Sequence, residues 1–138
     1  MKFILRNLFF ALLIVSAALA QQDPTKPMLR KGISVQMPVS IQATEMREAD
    51  EQDATVVTLT AEGNLFVGIQ PVQLSSLSKL KAPTVYMKAD ARVPYQRVLT
   101  VLDALRGHSV VLLTSSPSRA QTSEITWPYG VTVILGHD

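Results

Sequence analysis

The chain has no cysteine, a single tryptophan and only 6% aromatic residues among its 138 positions. With no thiol it has neither a disulfide framework nor a thiolate metal site, so its folded body must rest on an apolar core. Histidine is almost as scarce. His108 and His137 stand apart, with no H-x-x-H or H-E-x-x-H spacing, whereas a zinc site takes three or four convergent ligands. No metal or other cofactor is expected. The serines at 75, 76, 78, 115, 116, 118 and 123 fall in polar stretches without the G-x-S-x-G turn that exposes a nucleophile. His108 follows Gly107, where it suits the end of a helix and the negative pole of its dipole. No catalytic residue is assigned, and no glycine loop is arranged to cradle phosphate.

A surplus of one charge is missing too. The 13 basic residues include Lys2 and Arg6 at the start of the chain; beyond them the two signs balance at 11 each. A neutral body with no Lys/Arg stripe lacks the footprint of a nucleic-acid binder, and that class is set aside. Acidic residues are absent before Asp23. Instead, Lys2 and Arg6 precede an apolar run from Leu8 to Ala20, and Ala18-Leu19-Ala20 forms an A-x-A cleavage motif. The run falls short of the roughly 20 apolar residues of a spanning helix. Cleavage after Ala20 is therefore favoured over retention as a short anchor, and either places the rest of the chain across a membrane.

The expected organisation is a leader at Met1–Ala20, a tether at Gln21–Lys31 and one domain at Gly32–Asp138. Pro24, Pro27, Lys26, Arg30 and Lys31 give the tether an extended, solvated character. The domain's clearest stretch is Thr84 to Thr114. Val85, Met87 and Ala89 alternate with Tyr86 and Lys88 as in a strand, and Pro94 then stands where a helix begins. Val98, Val101, Leu102 and Leu105 recur on one helical face, Gly107 is placed to end the helix, and Val110–Leu113 reads as a strand buried on both faces.

Around this unit the pattern is mostly β. Ile33, Val35, Met37 and Val39 alternate with polar residues and Pro38, which predicts an edge strand open to a second chain. Glu45–Asp53 carries five acids against Arg47 but lacks the ligand alternation and glycine of a calcium loop, so it reads as a solvated loop. Thr55–Thr60 and Leu65–Ile69 form strands around a Gly63-Asn64 turn. Leu74, Leu77 and Leu80, spaced by three after Pro71, predict a short helix. Ser115–Glu124 reads as a polar loop and Trp127–Gly130 as a turn. Val131, Val133 and Leu135 mark a last strand, which either closes the sheet or pairs across a two-fold axis. The fold class is α/β in the α+β sense: one small domain with a mixed sheet of about five to six strands and two helices on one face.

The string VYMKADARVPYQRVLTVLDALR, with GISVQMPVS before it and VVTLTAEGNLFVGIQPVQLSSL between, resembles the periplasmic domain of the ExbD/TolR biopolymer-transport family. The likeness spans roughly Gly32 to Thr114 and lies in the order and spacing of these pieces. It implies a non-enzymatic component of a proton-driven transport or envelope-integrity complex. Such a component would associate as a homodimer and with an ExbB/TolQ-like proton channel or a cell-wall polymer. It also implies a membrane helix carrying an Asp that exchanges protons, and the leader here has none. An intramembrane acid is costly and kept for function, so its absence favours a second reading: a free periplasmic binding or regulatory module.

Asp90, Arg92 and Tyr95, at the junction of strand and helix, are the candidate partner-binding residues. The Asp90 carboxylate is also well placed to accept the turn's orphan N–H groups. Val35, Met37 and Val133 are the candidate dimer-edge residues.

Overall fold

The computed structural model describes residues 32–115 and 127–136. The leader, the tether, most of the polar loop and His137 lie outside the described residues. Among the described residues seven strands form one sheet: β1 (Thr44–Glu45), β2 (Thr55–Leu59), β3 (Leu65–Val67), β4 (Gln70–Val72), β5 (Thr84–Ala89), β6 (Ser109–Thr114) and β7 (Tyr129–Val133). Their spatial order is β1-β7-β6-β5-β2-β3-β4. The middle of the sheet is parallel, with β5 between β2 and β6; the strands outside it run antiparallel to their neighbours.

Each parallel step needs a crossover, and the apolar pattern supplies it. Helix α1 (Tyr95–Ala104) links β5 to β6. Val101 and Leu105 are fully buried against the sheet, with Val98 and Leu102 packed beside them. Each fully buried side chain of this size contributes about 1.5–3 kcal/mol. Gly107 follows at a φ of 95°, a left-handed value that costs glycine nothing and stops the helix. The β2-to-β5 crossover carries a 3₁₀ helix, Leu74–Lys79. A leucine every third residue matches the three-residue turn of that helix. Leu77 is fully buried in the same core as Val101 and Leu105. An α+β domain with two helices on one face and a mixed sheet is thus what the residues build.

Three local expectations need correction. The sheet has more than the expected five or six strands: before the helix Gln70–Val72 forms β4, and Gly68, at a φ of 61°, turns β3 into it. This extra strand and the two-residue β1 raise the number from five or six to seven. Tyr129–Gly130 belongs to β7 and is not a turn. The third correction concerns Gly32–Ser40, which is extended but belongs to no strand; its one bridge is Val39 with Ser115. Val35 and Met37 therefore do not form a sheet edge.

What the segment does instead explains why β5 is buried from Val85 through Ala89 despite its alternating sequence. One face of β5 meets α1. On the other, Val56, Tyr86, Val111 and Leu113 form a second apolar cluster with Ala49, covered by Met37, Met46 and Ala54. Residues 32–54 are the lid of that face. The acidic stretch ends the lid as a 3₁₀ turn, Arg47–Asp50, with Ala49 buried and its charged neighbours largely outward.

Candidate functional site

The parallel strands β2, β5 and β6 end on the same side of the sheet, and most of the predicted site residues collect there. β5 ends at Ala89, and the Asp90 backbone is still tied to the sheet by its N–H to the Leu59 carbonyl at 2.9 Å. Its side chain turns back and is only 3% exposed. Oδ1 accepts from the Arg92 backbone N–H at 3.0 Å and from Arg92 Nε at 2.8 Å; Oδ2 accepts from Arg92 Nη2 at 2.9 Å. Oδ2 takes a further hydrogen bond from the Gln36 backbone N–H at 3.1 Å, across 54 residues of sequence. The two-pronged guanidinium contact is the strong form of a carboxylate pair.

The Arg92 side chain and backbone N–H hold the Asp90 carboxyl well below the usual carboxylate range, against the opposing pull of burial, with Gln36 adding to the lowering. Asp90 in turn raises Arg92. A lowered carboxylate stabilises the fold fully above its unfolded value of about 4 and loses that contribution as pH falls below it. Urea midpoints taken from pH 5 downward should therefore fall more steeply for the native chain than for Asp90→Asn. Equal slopes would remove Asp90 from the acid response.

Arg92 itself faces solvent, with 66% of its side chain exposed. Tyr95, the first residue of α1, is 75% exposed. The three predicted residues thus share one end of the domain, but only Asp90 and Arg92 touch. Beside them an open cleft of about 370 Å³ is lined by Ala61, Glu62, Gly63, Val93, Pro94 and Arg97. Arg97 Nη2 donates to the Gly63 carbonyl at 3.3 Å and pins the β2–β3 turn to the helix. The Glu62 carboxyl is held below its ordinary value by its own backbone N–H and by the Thr60 hydroxyl. Nothing in the sequence singled out Arg97 or Gln36, because Arg97 reaches a backbone carbonyl and Gln36 acts through its own backbone, each on a partner far along the chain.

Val133, the third dimer-edge candidate, ends β7 opposite Val110. The outer neighbour of β7 is β1, which reaches only Tyr129 and Gly130. Val131–Val133 therefore have no strand beyond them among the described residues, and Ile134 next to them is 93% exposed. His108 lies at this opposite end of the sheet, its Nδ1 2.8 Å from the Ala82 carbonyl, which fixes that nitrogen as the donor. It has no acid–base partner among the described residues. No cluster of His, Cys, Asp or Glu there is arranged to hold a metal. No described helix is long and apolar enough to cross a membrane.

No curated protein matches the chain. Residues 5–116, most of its length, match the family described as Biopolymer transport protein ExbD/TolR. That match takes in the apolar run from Leu8 to Ala20 as well as the sheet up to the end of β6. The chain belongs to the ExbD/TolR family.

Proposed function

We propose that this protein is a non-enzymatic, envelope-associated component of a biopolymer-transport or envelope-integrity complex, acting by protein–protein association on the periplasmic side. Membership of a transport-associated family carries the general reading. The observation that carries the mode of action is the half-covered outer edge of β7, with exposed Ile134 beside it. A strand edge with unpaired N–H and C=O groups recruits another strand, and a second copy pairing antiparallel there gives a closed two-fold dimer. The opposite end, with Arg92 and Tyr95 exposed beside the cleft, is the surface for a different partner, an ExbB/TolQ-like channel protein or a cell-wall polymer.

The test is photo-cross-linking in the cell of origin, from a reactive residue placed at position 134 or at position 95. Position 134 should yield a dimer of this chain, abolished by Thr132→Pro; position 95 should yield a second envelope component. Monomer alone from both sites would overturn the reading. The absence of any acid before Asp23 favours a second one, a free periplasmic module that keeps the fold without the proton step. The mass of the mature protein separates the two: a chain beginning at Gln21 in the soluble fraction supports the module, and one beginning at Met1 in membranes supports the anchored component.

A further inference from the structure

We propose that residues 32–40 form a latched strap, a unit that opens separately from the sheet beneath it and is held shut by Asp90. The strap crosses the ends of the parallel strands and is fastened at the ends of β5 and β6. Gln36 is held twice at the end of β5: its N–H donates to Asp90 Oδ2 at 3.1 Å, and its carbonyl accepts from the Ala91 N–H at 2.7 Å. Two residues on, Ser115 at the end of β6 donates its backbone N–H to the Pro38 carbonyl at 2.9 Å and its hydroxyl to the Met37 carbonyl at 3.0 Å. Met37 adds partial apolar cover over Tyr86, Val111 and Leu113.

Three features make this a latch and distinguish it from ordinary packing. No residue from Gly32 to Ser40 is fully buried, whereas β5 is buried along Val85–Ala89. Segments with few buried apolar contacts and with hydrogen bonds near solvent open at a small fraction of the global unfolding free energy. The strap also takes no part in the sheet ladder beyond the Val39 bridge, so lifting it breaks no strand pair among β2, β5 and β6. Finally, the Asp90 contact is charge-assisted and locked by Arg92, while the Ser115 contacts are neutral. Arg92 is a positioning residue here: its fork orients the carboxylate so that Oδ2 meets the Gln36 N–H.

The location gives the latch a use. Gly32, the first described residue, sits tightly against Thr58, Gly68 and Lys88, where an added Cβ would come within 3.1 Å of the Thr58 hydroxyl. Any pull on the preceding tether enters the domain through the strap. Because the strap lies across the strand ends, such a pull peels its fastenings in sequence, Gln36 before Ser115. This goes beyond the association reading and holds whichever partner the domain meets.

Native-state hydrogen exchange on the full chain tests the proposal. In the unaltered protein the amides of Gln36, Ala91 and Ser115 should exchange through a shared opening with little denaturant dependence, at least tenfold faster than Val57, Met87 and Leu112. Exchange of both sets only through global unfolding would overturn it. In Asp90→Asn the first set should accelerate a further tenfold or more through the same weakly denaturant-dependent opening, and Arg92→Ala should give a smaller increase in the same set. Faster exchange of the core amides with the strap amides keeping their rate would place the Asp90 contribution outside the strap and overturn the latch.

Discussion

Replacing Gly130 with alanine should destabilise the domain more than any other single added methyl group on β7. A Cβ at this buried position would stand 2.8 Å from Val111 Cγ1, 3.0 Å from the Leu112 carbonyl oxygen and 3.1 Å from Met46 Cγ. The methionine is a flexible side chain. The carbonyl belongs to the backbone of β6 and is not, so relief requires β7 or the lid to shift. Overpacking of this kind costs about 1–3 kcal/mol, a large share of the roughly 5–15 kcal/mol that holds a domain together. For a body of this size the thermal midpoint should fall on the order of 10 °C, and valine should be worse than alanine. An unchanged midpoint for Gly130→Ala would mean that Val111 and Leu112 of β6 do not approach Gly130 as closely as described.

Truncating Leu77 to alanine should cost about 2–5 kcal/mol, the usual range for emptying a filled leucine site. Leu77 is the one fully buried side chain of its 3₁₀ helix, while the serines around it are exposed. So short a helix has little stability of its own and is held by the sheet. Losing its one fully buried side chain leaves only the partly buried Leu74 and Leu80 to hold the β4-to-β5 crossover, which should therefore loosen. Leu105→Ala removes an equally buried leucine, but α1 retains Val101 with Val98 and Leu102. The two variants should lose similar stability, while amide protection around Leu74–Lys79 collapses only in the first. Intact protection there in Leu77→Ala would show that the crossover is held by something other than this side chain.

These elements also mark how far the sequence could be read. The β5–α1–β6 unit was legible because its signals are local: a period of two, then a period near 3.6, with Pro94 and Gly107 as punctuation. Leu74, Leu77 and Leu80 gave the existence of a helix, and their spacing of three even matched its type. The strap was misread because alternation of Ile33, Val35 and Met37 describes an extended chain over an apolar surface as well as a strand within a ladder. Which of the two forms depends on Asp90 and Ser115, 54 and 78 residues away from their partners. Gly130 was misread for a related reason. After Trp-Pro-Tyr a glycine suggests a turn, and only the approach of Met46 and Val111 shows that it is there to leave room. Of the site, Asp90, Arg92 and Tyr95 could be placed together at one end of the sheet, with the Asp90 carboxylate accepting from the turn. That Asp90 would be buried, with Arg92 left facing water, followed from the arrival of Gln36.

The pairing of Thr44 with Gly130 and of Glu45 with Tyr129 joins the first strand of the sheet to its last. Closing so long a loop yields a ladder of only two residues, so the chain gains little from that step until β5, β6 and β7 have already assembled. Completion of the sheet must wait for the C-terminal strand. A nascent polypeptide emerging N-terminus first therefore carries its opening strand without a mate until Tyr129 and Gly130 have been made, and only then does the domain acquire its finished edge.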